Sequence, residues 1–138
     1  MSAPLALQKA MRAAFAASAE VLALVPVANI IDRHLMPPPS PSVIIGEAAA
    51  GPDDGNVGRD RIEVFADLHI WVAEPSTEGA KRIMDALRRC MRLDPRPALD
   101  GGLHLADWQV WRERVLRDPD GDTSHGVMTV RAVIGGLT

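Results

Sequence analysis

At 138 residues the chain is long enough to bury its own core without metals or disulfides, and it fits one domain spanning residues 1–138. Hydrophobic residues make up 47% and charged residues 24%, the proportions of an ordinary globular protein. A formal charge of −3 leaves no basic footprint for tight binding to phosphate backbones, and the lone Cys90 excludes an intrachain disulfide.

The alanine- and leucine-rich start reads as a mature helix near Pro4–Ser18. Ser2 is placed to cap it, and Pro4 sits in the first turn, where a missing N–H costs nothing. Leu7, Met11, Ala14 and Phe15 recur at helical spacing, continued by Leu22 and Val25, until Pro26 stops the helix. Lys9 and Arg12 interrupt the apolar run rather than precede it, and no run approaches the ~20 residues of a membrane span, so neither a signal peptide nor a membrane partner is expected.

Asn29 to Asp32 reads as a very short strand. The prolines of Arg33–Pro41 favour a stiff extended loop. Ser42–Ala49 reads as a strand with the apolar centre Val43-Ile44-Ile45, and Gly51–Asp60, rich in Gly, Pro, Asp and Asn, as a mobile loop. Arg61–Ala73 is the clearest strand. Ile62, Val64, Ala66, Leu68, Ile70 and Val72 share one face, while Glu63, Phe65, Asp67, His69 and Trp71 share the other. Such a strand buries its first face under helices and offers the second to a partner.

Ser76 is the expected cap of a second helix running to Arg92, with Ala80, Ile83, Met84, Leu87 and Met91 as its apolar stripe. Asp100-Gly101-Gly102 turns the chain into a strand over Leu103–Leu116, whose apolar phase changes between Leu105 and Trp108; that change predicts a bulge. Asp118–Asp122 is an acidic Pro/Gly turn leading into the last strand, Ser124–Ile134. The expected fold is α+β: an antiparallel sheet of about four strands with two helices packed on one face.

Catalytic and metal-binding patterns are weak. Asp118, Asp120 and Asp122 sit two apart, but an EF-hand loop needs glycine sixth and glutamate twelfth. Here Gly121 falls fourth and Thr129 twelfth, so the segment reads as a turn. His34, His69, His104 and His125 form no zinc-type spacing, and Cys90 sits late in a helix, where the dipole disfavours a thiolate. No G-x-S-x-G elbow or P-loop is present, so no catalytic residue, metal or cofactor is expected. Trp71, Trp108 and Trp111 are candidate contact residues. Trp108 and Trp111 have opposite strand parity, so one can be core while the other meets a partner, with Arg112 and Arg114 in its polar rim.

The stretches "LALQKAMRAAF", "IIDRHLMPPPSPSVIIGE", "DLHIWVAEPSTEGAKRIMDALR" and "VLRDPDGDTSHGVMTVRAVI" follow one another as they do in a known family. In this order the chain resembles the tail-completion, or tail-terminator, proteins of long-tailed phages and phage-derived gene transfer agents. The run Pro37–Pro41 departs from the family in its proline content. The resemblance implies a non-enzymatic protein of the virion tail, assembled in the host cytoplasm into a homo-oligomeric, hexameric ring at the head–tail junction. Such a ring ends polymerisation of the tube, contacts the tail tube protein and a head-side stopper or connector, and lets DNA through unread. Arg33 and Pro38 are then further interface candidates, and Asp53, Asp54, Asn56 and Asp60 are lumen or stacking candidates. The competing classes are a small hydrolase, which requires a pocket gathering several of His69, His104, His125 and the aspartates, and a ligand-binding module with a closed apolar cavity.

Overall fold

In the computed structural model, residues 2–53, 60–93 and 95–137 are described. The fold is organised around a central strand in which alternate side chains sort cleanly. In that strand, β3 (Ile62–Val72), Val64, Leu68 and Ile70 are fully buried and Ala66 nearly so, while Glu63, Phe65, Asp67, His69 and Trp71 point the other way. Full burial of a side chain such as Leu68 stabilises the fold by ~1.5–3 kcal/mol.

β3 is paired along both edges. On one side β2 (Ser42–Pro52) runs antiparallel to it, from Ser42 opposite Trp71 to Pro52 opposite Ile62. On the other, β5 (Ser124–Gly135) runs antiparallel in unbroken register, from Val72 opposite Ser124 to Ile62 opposite Ile134. β4 (His104–Arg117) pairs antiparallel with the outer side of β5, and β1 (Ile30–Ile31) lies beside β2, giving the order β1-β2-β3-β5-β4. The expected bulge is present, with a register shift between Leu105 and Asp107, and a second shift follows between Val110 and Arg112.

The sheet departs from the four-stranded antiparallel expectation in having a fifth strand and being mixed. β1 is parallel to β2 because residues 32–41, the proline-rich segment, carry the chain back before β2 begins in the same direction. Asn29 Nδ2 donates to the Pro41 carbonyl at 2.9 Å, and the Ser40 hydroxyl accepts from the Ala73 amide at 2.7 Å, so this segment is tied to the residue just before β1 and the residue just after β3.

Two long helices cover one face. α1 (Ala3–Ala16) buries Ala3, Ala6, Leu7, Ala10, Met11 and Phe15, and its small residues let the backbone lie close to β2 and β3. It ends earlier than Pro26 alone would dictate. The Ser18 hydroxyl accepts from the Val21 amide at 3.2 Å and caps a separate short helix, α2 (Ala19–Leu22), which leaves Leu22 exposed and Val25 buried. α3 (Glu78–Met91) packs Ile83, Met84, Ala86 and Leu87 against β3, β4 and β5. Gly126 makes room for it, since a Cβ there would stand 2.7 Å from the Met84 sulfur.

The start of α3 is secured by a residue the local sequence pattern did not single out. The Ser76 hydroxyl accepts from the Glu78 amide at 3.0 Å, and the Glu74 carboxylate accepts from the Gly79 and Ala80 amides, further into the first turn, at 2.9 and 3.2 Å. The same carboxylate accepts from the buried Ser124 hydroxyl at 2.8 Å, joining the end of β3, the N-terminus of α3 and the start of β5.

Replacing Leu68 with aspartate places an unpaired charge beneath both helices and is expected to cost more than about 3 kcal/mol, measured by urea unfolding. A near-neutral value would mean that the other face of β3 is the buried one.

Candidate assembly surface

Among the described residues, no helix or strand covers the face of the sheet opposite the helices from β3 to β4. Its side chains satisfy one another across the strands. Thr129 Oγ1 donates to Asp67 Oδ1 at 2.6 Å, and Arg131 Nε donates to Glu63 Oε2 at 2.5 Å. Phe65 meets Trp111 edge to face, with ring centroids 5.5 Å apart.

Where β3 and β5 meet near Trp71, register creates an aromatic ladder. Trp71 lies directly opposite His125, and the two rings stack at 3.8 Å and 7°. His125 Nε2 is 3.0 Å from His69 Nδ1, and His69 Nε2 is 3.2 Å from the Glu47 carboxylate. A carboxylate only accepts, so with both rings neutral His69 donates to Glu47 and His125 donates to His69. Gly46 permits this arrangement, because a Cβ there would come within 2.9 Å of the His69 ring. Glu47 is held below its usual carboxylate range by its own backbone N–H first, and then by the hydrogen bond from His69. Burial, assisted by nearby His69, pushes His125 below the usual histidine range.

Residues 32–36 arch beside this ladder and enclose a cleft of about 420 Å³, into which His34, Ile44, Glu47, His69, Trp71 and His125 project. The cleft therefore gathers His69 and His125, two of the groups required by a hydrolase, and adds His34. His104 is elsewhere, packed over Gly135. Among the described residues no serine, threonine or cysteine lines the cleft, so the Glu47–His69–His125 chain can relay a proton but has no hydroxyl or thiol beside it; Asp32 is the one aspartate in the lining. Among the described residues no three His, Cys, Asp or Glu side chains group as a metal site. The Cys90 thiol is pushed up by burial and reaches the Ala14 carbonyl at 3.6 Å, a contact between α3 and α1. Asp120 turns its carboxylate onto the Asp122 amide and the Thr123 hydroxyl at 2.9 and 3.0 Å, with Gly121 at φ 76°, as a turn does.

The two tryptophans of β4 separate as their parity implies. Trp108 is 7% exposed and belongs to the core, while Trp111 is 58% exposed on the open face. Arg112 and Arg114 are also exposed and flank a shallow depression of about 300 Å³ with Phe65, Asp67 and Trp111. The bulge after Val110 turns both Trp111 and Arg112 outward, which simple alternation would not. Trp71 is half-buried in the ladder, Arg33 is exposed at the cleft, and Pro38 is half-buried in a neighbouring groove with Trp71, Asp118 and Asp120. Asp53 is half-buried, and the exposed Asp60 accepts from the Leu137 amide through its carbonyl at 3.1 Å. Asp54 and Asn56 lie outside the described residues. The ladder itself was missed in the sequence. β3 parity put His69 and Trp71 on one face, but only register brings His125 and Glu47 to them.

The sign of the pH dependence follows from His125. The unfolded chain takes up a proton near 6.5, whereas the folded chain takes it up only at lower pH. The favourable neutral state is fully present above 6.5, and stability falls as pH drops through the window beneath it. Urea unfolding between about pH 7.5 and about pH 5 is expected to show this decline, and His125→Phe, which keeps a ring on Trp71, is expected to reduce it.

A family model described as "Tail completion protein gp17" matches residues 9–135, nearly the whole chain. The fold is also that of a chain in a solved structure titled "Virion of native gene transfer agent (GTA) particle", with a TM-score of 0.83, 19% identity and coverage of 98% of both chains. No curated protein matches the sequence. No helix among the described residues is long and apolar enough to cross a membrane. With a continuous family match from α1 to β5 on top of the ordered motifs and the fold they build, this chain belongs to the tail completion protein gp17 family.

Proposed function

We propose that the protein is a structural ring subunit of a phage-like tail, sitting at the head-proximal end of the tube, where it ends tube polymerisation and joins the tail to the head. The family match across residues 9–135 is the observation that carries this reading. The open sheet face supports it. Its charged groups are largely paired among themselves, and Trp111, Arg112 and Arg114 stand out from it as a contact patch. Six copies are proposed to close the ring, meeting the tube protein on one side and a head-side stopper on the other. A net charge of −3 suits a channel through which a polyanion slides.

The loop between β2 and β3 is proposed to make lumen or stacking contacts through Asp53, Asp54, Asn56 and Asp60, and the segment bearing Arg33 and Pro38 to reach a neighbour. Deleting Pro52–Gly58 takes away the terminal pair of the hairpin stem, Pro52 opposite Ile62, and keeps the ladder from Gly51 opposite Glu63 inward, so a folded subunit is expected. Particles carrying the deletion are expected to show free heads and unjoined tails by electron microscopy; normal joining would remove the loop from the mechanism.

The Glu47–His69–His125 chain in its cleft is the observation that favours the alternative of a hydrolase or ligand-binding module. If the role is structural, alanine at His69, His104, His125 or Cys90 leaves head–tail joining intact in every variant that folds. Selective loss of joining in a folded His69 or His125 variant would favour the alternative.

A further inference from the structure

The sheet ends in two unlike open edges. β4 is 14 residues long and, among the described strands, pairs only with β5. β2 is 11 residues long, but β1 covers it only at Val43 and Ile44, and no described strand pairs with the rest of that side. An open edge presents a row of backbone N–H and C=O groups ready to pair with another chain.

We propose that adjacent subunits join by antiparallel pairing between β4 of one copy, over Arg112–Arg117, and the distal part of β2 of the next, over Glu47–Pro52. This proposal rests on the ring reading above and specifies its subunit contact. Two different edges on one sheet make a heterologous contact, which propagates from copy to copy and closes only if the rotation does. Pairing β4 with β4 would instead give an isologous dimer and stop.

Strand direction agrees. β2, β3, β5 and β4 are antiparallel at every step, so β2 and β4 run in opposite senses within one copy. In copies related by rotation about a common axis, β4 therefore meets the next β2 antiparallel, with the helices of every copy on the same side. The side chains agree as well. Past its second bulge, β4 exposes Arg112, Arg114 and Arg117, while its one acidic residue there, Glu113, is held by Arg88 of α3. The facing stretch of β2 begins with the Glu47 carboxylate, whose side chain is 80% exposed, and continues through exposed Ala48, Ala49 and Ala50. It has no proline before Pro52 and no cation to repel the arginines. Pairing would cover the three alanines where α1 no longer shields them, and a closed sheet has no edge left to propagate.

The test uses assembled particles carrying a Cys90→Ser background. One cysteine is placed on β2 (Ala48, Ala49 or Ala50) and one on β4 (Arg112 or Arg114) of the same chain. Opposed residues in an antiparallel ladder lie ~4.5–5.5 Å apart at Cα, within reach of a disulfide. At least one combination is expected to give, on oxidation, a covalent ladder of multimers ending at the copy number of the ring. Single-cysteine chains are expected to give none. A second arm places charge opposite the arginines: Ala49→Arg is expected to release the ring at lower salt than Ala49→Glu. Rings visible by electron microscopy that yield no ladder in any combination, with equal salt sensitivity of the two charge variants, overturn edge pairing and leave the ring reading standing. Particles with no ring of this protein overturn both.

Discussion

The double pairing of β3 is the constraint on which the rest of the molecule depends. Every residue from Ile62 to Val72 has a partner on β5, and most have one on β2 as well, so the strand cannot slip by one position without turning Leu68 and Ile70 out and His69 and Trp71 in. Once that register is held, one face is committed to α1 and α3. The other is committed to side chains that must satisfy one another in water. The helices then need only small residues and a narrow apolar stripe, which is what the alanines of α1 and the Ile83, Met84 and Leu87 set of α3 provide.

Glu74 extends this constraint beyond the sheet. Its carboxylate takes two amides at the start of α3 and the hydroxyl of Ser124, so the helix begins where the hairpin strand β5 begins. Gly79 is part of the same device, since a Cβ there would stand 2.5 Å from a Glu74 oxygen. At the other end of α3, Arg88 bonds to Asp85 at 2.8 Å and also reaches Glu113 of β4, which ties the helix to the outermost strand. The helix is thus held at both ends by charge and along its length by apolar contact, and β4 is held in place although one of its edges is open.

The open face combines a polar network with a few exposed aromatic and cationic side chains, a mixture suited to contact with other protein surfaces. Its histidine ladder is an internal feature of that face. Stacking on Trp71 and burial favour a neutral His125, and the chain of donors ends on an exposed carboxylate rather than at a nucleophile. Membership of a tail completion family and the make-up of the open face both support the proposed role in assembly.

Much of this was readable in the sequence because it depends on short-range periodicity. The alternation of β3, the stripe of α3, the bulge signalled between Leu105 and Trp108 and the Asp118–Asp122 turn each need only the geometry of one element. The opposite parity of Trp108 and Trp111 implied that one can be core and the other outward, and the fold decided that Trp108 is the core ring. What the sequence could not decide depends on which strands are neighbours. The parallel placement of β1, the bond from the Ser124 hydroxyl to Glu74 and the meeting of Glu47, His69 and His125 all depend on which strands are neighbours, with separations of 50 residues between Ser124 and Glu74 and 56 between the hydrogen-bonded histidines. Local propensity is set by a residue and its near neighbours, whereas sheet order and register are set by the free energy of the whole packed core, and only the tertiary structure carries that term.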